Sequence, residues 1–189
     1  MWLAMSDLPA EGRRLTFDDQ AIWTGPLKEF GIPCTILTPL KAELFVLPHE
    51  GDGVRGCLVR GTIRGEVSLP CNRCAEDAKV VINSEFETFE PFPVEQDDDA
   101  GAQERINIDD IPDEEVVRVK DGVAQFNPQA LLWEEFSLAL PVKPLCRPDC
   151  KGLCPVCGHN QNKGSCSCAA EEGDPRLAAL RLFTPTKKQ

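Results

Sequence analysis

The chain has no tyrosine, only two histidines and two methionines in 189 residues, and aromatic residues make up just 6% of it. The histidines, His49 and His159, stand far apart, and no glycine-rich phosphate loop or readable nucleophile–base pair accompanies them. General acid–base and nucleophilic catalysis need such pairs in hydrogen-bond reach, so the enzyme classes are left without a motif. No apolar run approaches the roughly 18 residues that a membrane-spanning helix requires. Residues 1–14 lack a basic stretch followed by an apolar one, so they do not read as a signal peptide. The expectation is a cytoplasmic protein with reduced thiols.

Positive charge is also scarce, with 20 Lys and Arg against 31 Asp and Glu and a net charge of −11. The deficit is uneven. Residues 1–139 hold 12 basic against 27 acidic side chains, whereas residues 140–189 hold 8 against 4. An acidic body repels phosphate backbones and suits a basic partner, for which ribosomal proteins are abundant candidates in a cytoplasm.

Cysteine is what the chain has in excess. Six of its ten thiols, Cys146, Cys150, Cys154, Cys157, Cys166 and Cys168, fall within 23 residues. At their centre Cys154-Pro-Val-Cys157 supplies two ligands from one short turn, and Gly158 follows where the backbone must double back. With nothing secreted about the chain, structural zinc is expected over a disulfide framework. One zinc ion needs four of the six thiols. Cys154 and Cys157 are the first choice, the spacing leaves the other two open, and His159 is a further candidate ligand. Pro148 limits Cys146 and Cys150 to a single turn. Cys166 and Cys168 can both face one ion only if the backbone curls between them.

A second pair, Cys71 and Cys74, has three readings: a redox dithiol, a metal half-site shared with the C-terminal cluster, or small residues filling a turn. Reactive dithiols sit between a strand and a helix that lowers one thiol's pKa. Here the surroundings are strands. The period-two alternation from Arg55 to Leu69 puts Cys57, Val59, Ile63, Val67 and Leu69 on one face and Arg60, Thr62, Arg64, Glu66 and Ser68 on the other. Gly61 and Gly65 on the apolar face imply a bulge or a close approach by another backbone. A second strand from Lys79 to about Phe89 makes a hairpin with the Cys-x-x-Cys at its tip. Residues 35–47 are strand-like but interrupted by Pro39, and Trp23–Phe30 reads as one or two helical turns.

Helix signals agree from Asn127 to Leu140, with an N-cap Asn, Pro128 in the first turn and Pro141 as the stop. Its apolar residues, Leu138 among them, imply that most of its surface is covered. Asp174-Pro175 opens a second short helix through Phe183, with Leu177, Leu180 and Phe183 to dock it. The resulting scheme is an α+β fold, an antiparallel sheet core packed by one long and one short C-terminal helix with a small Cys-rich zinc-knuckle insertion. Residues 1–145 form the core, with a mobile acidic loop near 91–104; residues 146–170 form the zinc-binding segment; residues 171–189 form the docking tail. If RNA is touched directly, Arg60 and Arg64 are candidates, since four residues along a strand span about 13 Å, near the spacing of two phosphates. Arg73 in the turn is a third. The alternative for these arginines is pairing with Glu66 and other acids on a solvated sheet face.

Several segments together resemble one family. Val67-Ser-Leu-Pro-Cys71-Asn-Arg-Cys74, Leu138-Ala-Leu-Pro-Val-Lys-Pro-Leu145, Gly152-Leu-Cys-Pro-Val-Cys-Gly158 and Asp174-Pro-Arg-Leu-Ala-Ala-Leu180 resemble, in order and spacing, motifs of the bacterial YceD family, the large ribosomal RNA subunit accumulation proteins. Gly158-His-Asn160-Gln departs from that family's Asn-Leu-Asn tendency. The resemblance implies a non-catalytic role in synthesis, processing or stability of large-subunit (23S) ribosomal RNA, with that RNA or a basic large-subunit protein as partner and no membrane. Because members without the C-terminal cysteines exist, it implies one structural zinc rather than a functional one. Two other classes compete: a thiol-based redox or metal-handling protein, and a zinc-ribbon transcription accessory.

Overall fold

The computed structural model describes residues 1–51, 54–92 and 116–168. Its largest unit is an antiparallel sheet of four strands, β2 (Arg13–Phe17), β3 (Thr35–Gly51), β4 (Val54–Pro70) and β5 (Asp77–Pro91), hydrogen-bonded in that order. Among the described residues, a second sheet joins β1 (Leu3–Ala4), β7 (Val123–Phe126) and β6 (Val117–Lys120) in that order. Two α-helices, α1 (Ala21–Glu29) and α2 (Pro128–Ala139), and one turn of 3-10 helix at Met5–Asp7 complete the described architecture, which is α+β and mostly antiparallel sheet. No helix among the described residues is long and apolar enough to cross a membrane.

The alternation in β4 decides which face is inside. Cys57, Val59, Ile63 and Val67 have no exposed surface, while Arg60 and Arg64 project into solvent. Trp23 of α1 and Phe136 of α2 meet in the same core, with ring centroids 5.3 Å apart, above Leu44, Val46 and Ile82 of the sheet. Gly61 is needed where it stands: a Cβ there would collide with the ring of Phe86 from β5 and with Leu44 from β3. At Gly65 a Cβ would meet the Leu40 side chain at 2.7 Å, with the β3 backbone close behind it, Leu40 Cα and Pro39 O both at 3.2 Å. This is where β3 shifts register between Thr38 and Lys41, the interruption that Pro39 signals in the sequence. Gln20 bridges the gap, its amide accepting from Leu40 N and donating to Leu40 O, both at 2.9 Å. That side chain ties the start of α1 to the sheet.

The Asn127 cap is formed as its sequence implies, Oδ1 accepting from Gln129 N and Ala130 N. The covered surface inferred for α2 is only partly found. Leu131, Leu132 and Phe136 are buried, but Leu138 is 80% exposed among the described residues. α1 reaches Ala21–Glu29, with Pro26 inside it, so it is longer than one or two turns from Trp23. Most of the acidic loop near 91–104 and all of the tail helix expected from Asp174 to Phe183 lie outside the described residues.

Candidate metal centres

The β4–β5 hairpin is the element that positions Cys71 and Cys74. Cys71 N donates to Glu76 O and Ala75 N to Cys71 O, with Ala75 at φ +59, so the tip is a tight turn that points both thiols to one side. Both are almost fully buried, at 3% and 4% exposure. What buries them is the chain after α2. Asn72 N donates to Pro144 O at 2.7 Å, Leu153 N to Arg73 O at 3.2 Å, and Arg73 Nη1 to Cys150 O at 2.9 Å. The tip is thereby clasped by the cysteine-rich segment, whose first turn (Cys150 N to Arg147 O) aims Cys146 and Cys150 at the hairpin pair.

Eight thiols consequently sort into two quartets: an inner one of Cys71, Cys74, Cys146 and Cys150, and an outer one of Cys154, Cys157, Cys166 and Cys168. Within each, the four sulfurs lie within 4.8 Å of one another. All ten cysteines are free thiols. Cys71 Sγ is 3.8 Å from Cys150 Sγ, and Cys74 Sγ is 3.6 Å from Cys146 Sγ. Four bonds of about 2.3 Å to a tetrahedral zinc place neighbouring sulfurs about 3.8 Å apart, so the donor set fits such an ion.

The outer turn is built by backbone. Gly158 N donates to Cys154 O, Cys154 N donates to His159 O, and Gly158 adopts φ +70, which glycine alone tolerates freely. Gly152, at φ +77, is pressed against Arg73 O, where a Cβ would come within 3.1 Å. Cys166 and Cys168 reach one centre because the chain bends at Ser167 and turns the Cys168 amide toward the Cys166 sulfur. His159 is exposed and belongs to neither quartet.

Electrostatics distinguish the sulfurs. Burial pushes the Cys71 thiol up, but the amides of Cys146, Arg73 and Cys74 outweigh it and bring the thiol down to about 6. Cys154 is brought down to about 6 by the amides of Cys157 and Val156. Cys146 is pushed up to about 12 by burial and by its sulfur neighbours, and Cys168 to about 12 by Cys157 and then burial. Each quartet thus contains a sulfur held toward thiolate and another that resists adding a further negative charge. A divalent cation at the centre removes that conflict.

The arginines singled out in the sequence are engaged. Arg60 pairs with Glu87 and Arg64 with Glu85, across β4 and β5, on the exposed face of the sheet. Their partners are these β5 acids, while Glu66 pairs with Lys79. Arg73 holds the Cys150 carbonyl. Sequence reasoning missed Asn160, Asn162 and Glu76, which tie the quartets and the hairpin together. Asn162 Nδ2 donates to Cys150 Sγ at 3.3 Å, and Glu76 accepts from Lys163 Nζ at 2.6 Å and from Asn160 Nδ2 at 3.3 Å. The only signal for them in the sequence is two asparagines and a lysine between Cys157 and Cys166, residue types common in any turn.

Fold and site define a small α+β protein whose hairpin tip and cysteine-rich segment assemble two tetrathiol groups suited to metal. The family model for large ribosomal RNA subunit accumulation protein YceD matches residues 59–184, and the chain belongs to that family. A protein of Arabidopsis thaliana named large ribosomal RNA subunit accumulation protein YCED homolog 1, chloroplastic, is 30% identical over 157 residues, covering 76% of this chain and 48% of the relative. The protein of the same name from Zea mays is 26% identical over 182 residues, 88% of this chain and 60% of the relative. An uncharacterized protein of Mycobacterium tuberculosis is 31% identical over 103 residues, 54% of this chain and 44% of the relative. The chain spans about half the length of the curated relatives it matches. No solved structure matches it.

Proposed function

We propose that this protein supports the accumulation of large-subunit ribosomal RNA as a non-catalytic factor, and that two structural zinc ions hold its cysteine-rich segment on the hairpin. The observation that carries the ribosomal reading is the family match across residues 59–184, which takes in both quartets. The zinc reading rests on eight sulfurs in two groups of four, each within 4.8 Å of one another, with two pairs of the inner group at the 3.6 and 3.8 Å that suit tetrahedral coordination. Four thiolates close the coordination sphere and leave no position for a water to be activated, which makes each ion structural.

The charge distribution favours a basic large-subunit ribosomal protein as the partner of the acidic body. Arg60 and Arg64 already face Glu87 and Glu85, so that sheet face presents alternating charge rather than a phosphate-binding stripe. Neutralising both arginines is therefore expected to change ribosomal association little and to leave its salt dependence nearly intact. A loss of about one unit of salt slope per arginine would instead assign them to phosphate contacts. The function itself is tested by deleting the gene and measuring mature large-subunit RNA relative to small-subunit RNA at several temperatures. The expected result is a lowered ratio; an unchanged ratio under every condition rules the role out.

A further inference from the structure

We infer that the two tetrathiol centres are thermodynamically linked, each tightening the other's hold on zinc, and that Asn162 is the residue that transmits the linkage. The inference rests on the zinc reading above and goes beyond it, because two structural ions need not communicate.

Asn162 belongs to the outer centre by position, in the loop between Cys157 and Cys166. Its bonds go to the inner one. Nδ2 donates to Cys150 Sγ at 3.3 Å, and Oδ1 accepts from Lys151 N at 2.8 Å and from Arg147 Nη2 at 2.7 Å. One amide thus supports a ligand sulfur and also clamps the 147–151 stretch that presents that ligand. The amide is oriented by its own loop, since Asn160 Oδ1 accepts from both Asn162 N at 3.0 Å and Asn162 Nδ2 at 2.9 Å. The loop adds a backbone tie, Gln161 N to Gly152 O at 2.9 Å, between the ligand-bearing Cys150 and Cys154.

The physical consequence follows from which state each ion favours. Zinc in the outer centre fixes both ends of the 157–166 loop, and a fixed loop holds Asn162 against Cys150. An N–H donated to a coordinated thiolate disperses part of its charge and fixes its direction, which strengthens binding at the inner centre. Linkage is reciprocal, so inner zinc, by fixing Cys150 and the 147–151 stretch, presents Asn162 with its partners and closes the outer loop. Partners of this kind typically contribute 10- to 100-fold in metal affinity.

The experiment measures zinc affinity of the full chain by competition with a chromophoric chelator. Cobalt(II) spectra report whether coordination is by four thiolates. Cys166→Ser with Cys168→Ser leaves the inner centre alone, and Cys71→Ser with Cys74→Ser leaves the outer centre alone. The product of these two single-centre constants is compared with the overall two-zinc constant of the native chain. Independent centres give a ratio of about 1; the linkage predicts roughly 10 to 100 in favour of the native chain. With Asn162→Ala in all three backgrounds the ratio should fall toward 1, while cobalt still reports tetrathiolate coordination in each intact centre. Asn162→Asp keeps the acceptor for Lys151 N and Arg147 but cannot donate to Cys150, so it separates the thiolate bond from loop folding and should also lower the ratio. A ratio of about 1 in the native chain, or one that both substitutions leave unchanged, overturns the linkage. A native chain that takes up no zinc overturns the metal reading itself, which is a different failure.

Discussion

Stripping zinc should release residues 141–168 from the hairpin while the sheet stays folded, and the contacts show why. Without an ion, and among the described residues, the segment is held to the tip by three hydrogen bonds to backbone carbonyls, Asn72 N to Pro144 O, Leu153 N to Arg73 O and Arg73 Nη1 to Cys150 O, beside the weak thiol contacts Cys71–Cys150 and Cys74–Cys146 and the exposed Asn160–Glu76 bond. At about 1 kcal/mol net each, the three offset the ordering of only two or three residues, since fixing one residue's backbone costs about 1–2 kcal/mol. The Glu76–Lys163 pair is exposed and adds little. Among the described residues, the apolar side chains packed around the inner sulfurs are Leu145 and Ala78. A structural zinc, by contrast, contributes about 10–16 kcal/mol in small zinc-finger peptides. The body has its own core of Trp23, Phe136, Ile63 and Val67 and needs no ion for it. Hydrogen exchange followed by mass spectrometry, with and without a strong chelator under reducing conditions, should show lost protection at the amides of Asn72, Leu153, Cys154, Gly158 and Gln161. Protection in β3, β4 and β5 should persist. Retained protection across 141–168 after complete zinc removal would show that the segment is held on the hairpin without an ion.

Three further outcomes follow from the same contacts. Phe136→Ala should cost about 3–5 kcal/mol in urea unfolding, because it empties a fully buried site against Trp23, and it should leave the zinc content unchanged. Cys57 is pushed from its ordinary 9.0 up to about 12 by burial and by Glu90, so its contribution to stability is present below about pH 9 and is lost as pH rises from there toward 12; at neutral pH it should react with thiol reagents only as fast as the chain unfolds. Cys71 is held toward thiolate, but it and Cys74 are only 3% and 4% exposed under the cysteine-rich segment, so disulfide-exchange assays should show no turnover above free dithiol, and activity that disappears in Cys71→Ser would contradict this.

How much of this was legible in the sequence depends on the range of each interaction. The inward face of β4, the Asn127 cap and the turn at Cys154–Gly158 rest on neighbours within a few residues, and pattern alone discloses them. The short strands β1, β6 and β7 carry too few residues to show a period. The interior proline Pro26 masked the true length of α1. The grouping of thiols was not readable because Cys71 and Cys150 are 79 residues apart and Cys74 and Cys146 are 72 apart. Six clustered thiols suggested one centre drawn from a surplus; folding the hairpin pair onto them turns the surplus into a second complete set. Nothing in the sequence sets Asn160 and Asn162 apart, because their partners, Glu76 and Cys150, become neighbours only after that folding.

If each quartet holds its own ion, the metal content of the freshly purified chain is fixed by the number of intact quartets. Elemental analysis should give two zinc per chain, falling to one when Cys71 and Cys74 or Cys166 and Cys168 are replaced by serine, and to none when both pairs are. A chain free of metal with all ten thiols reduced and titratable would mean that neither quartet is a metal centre.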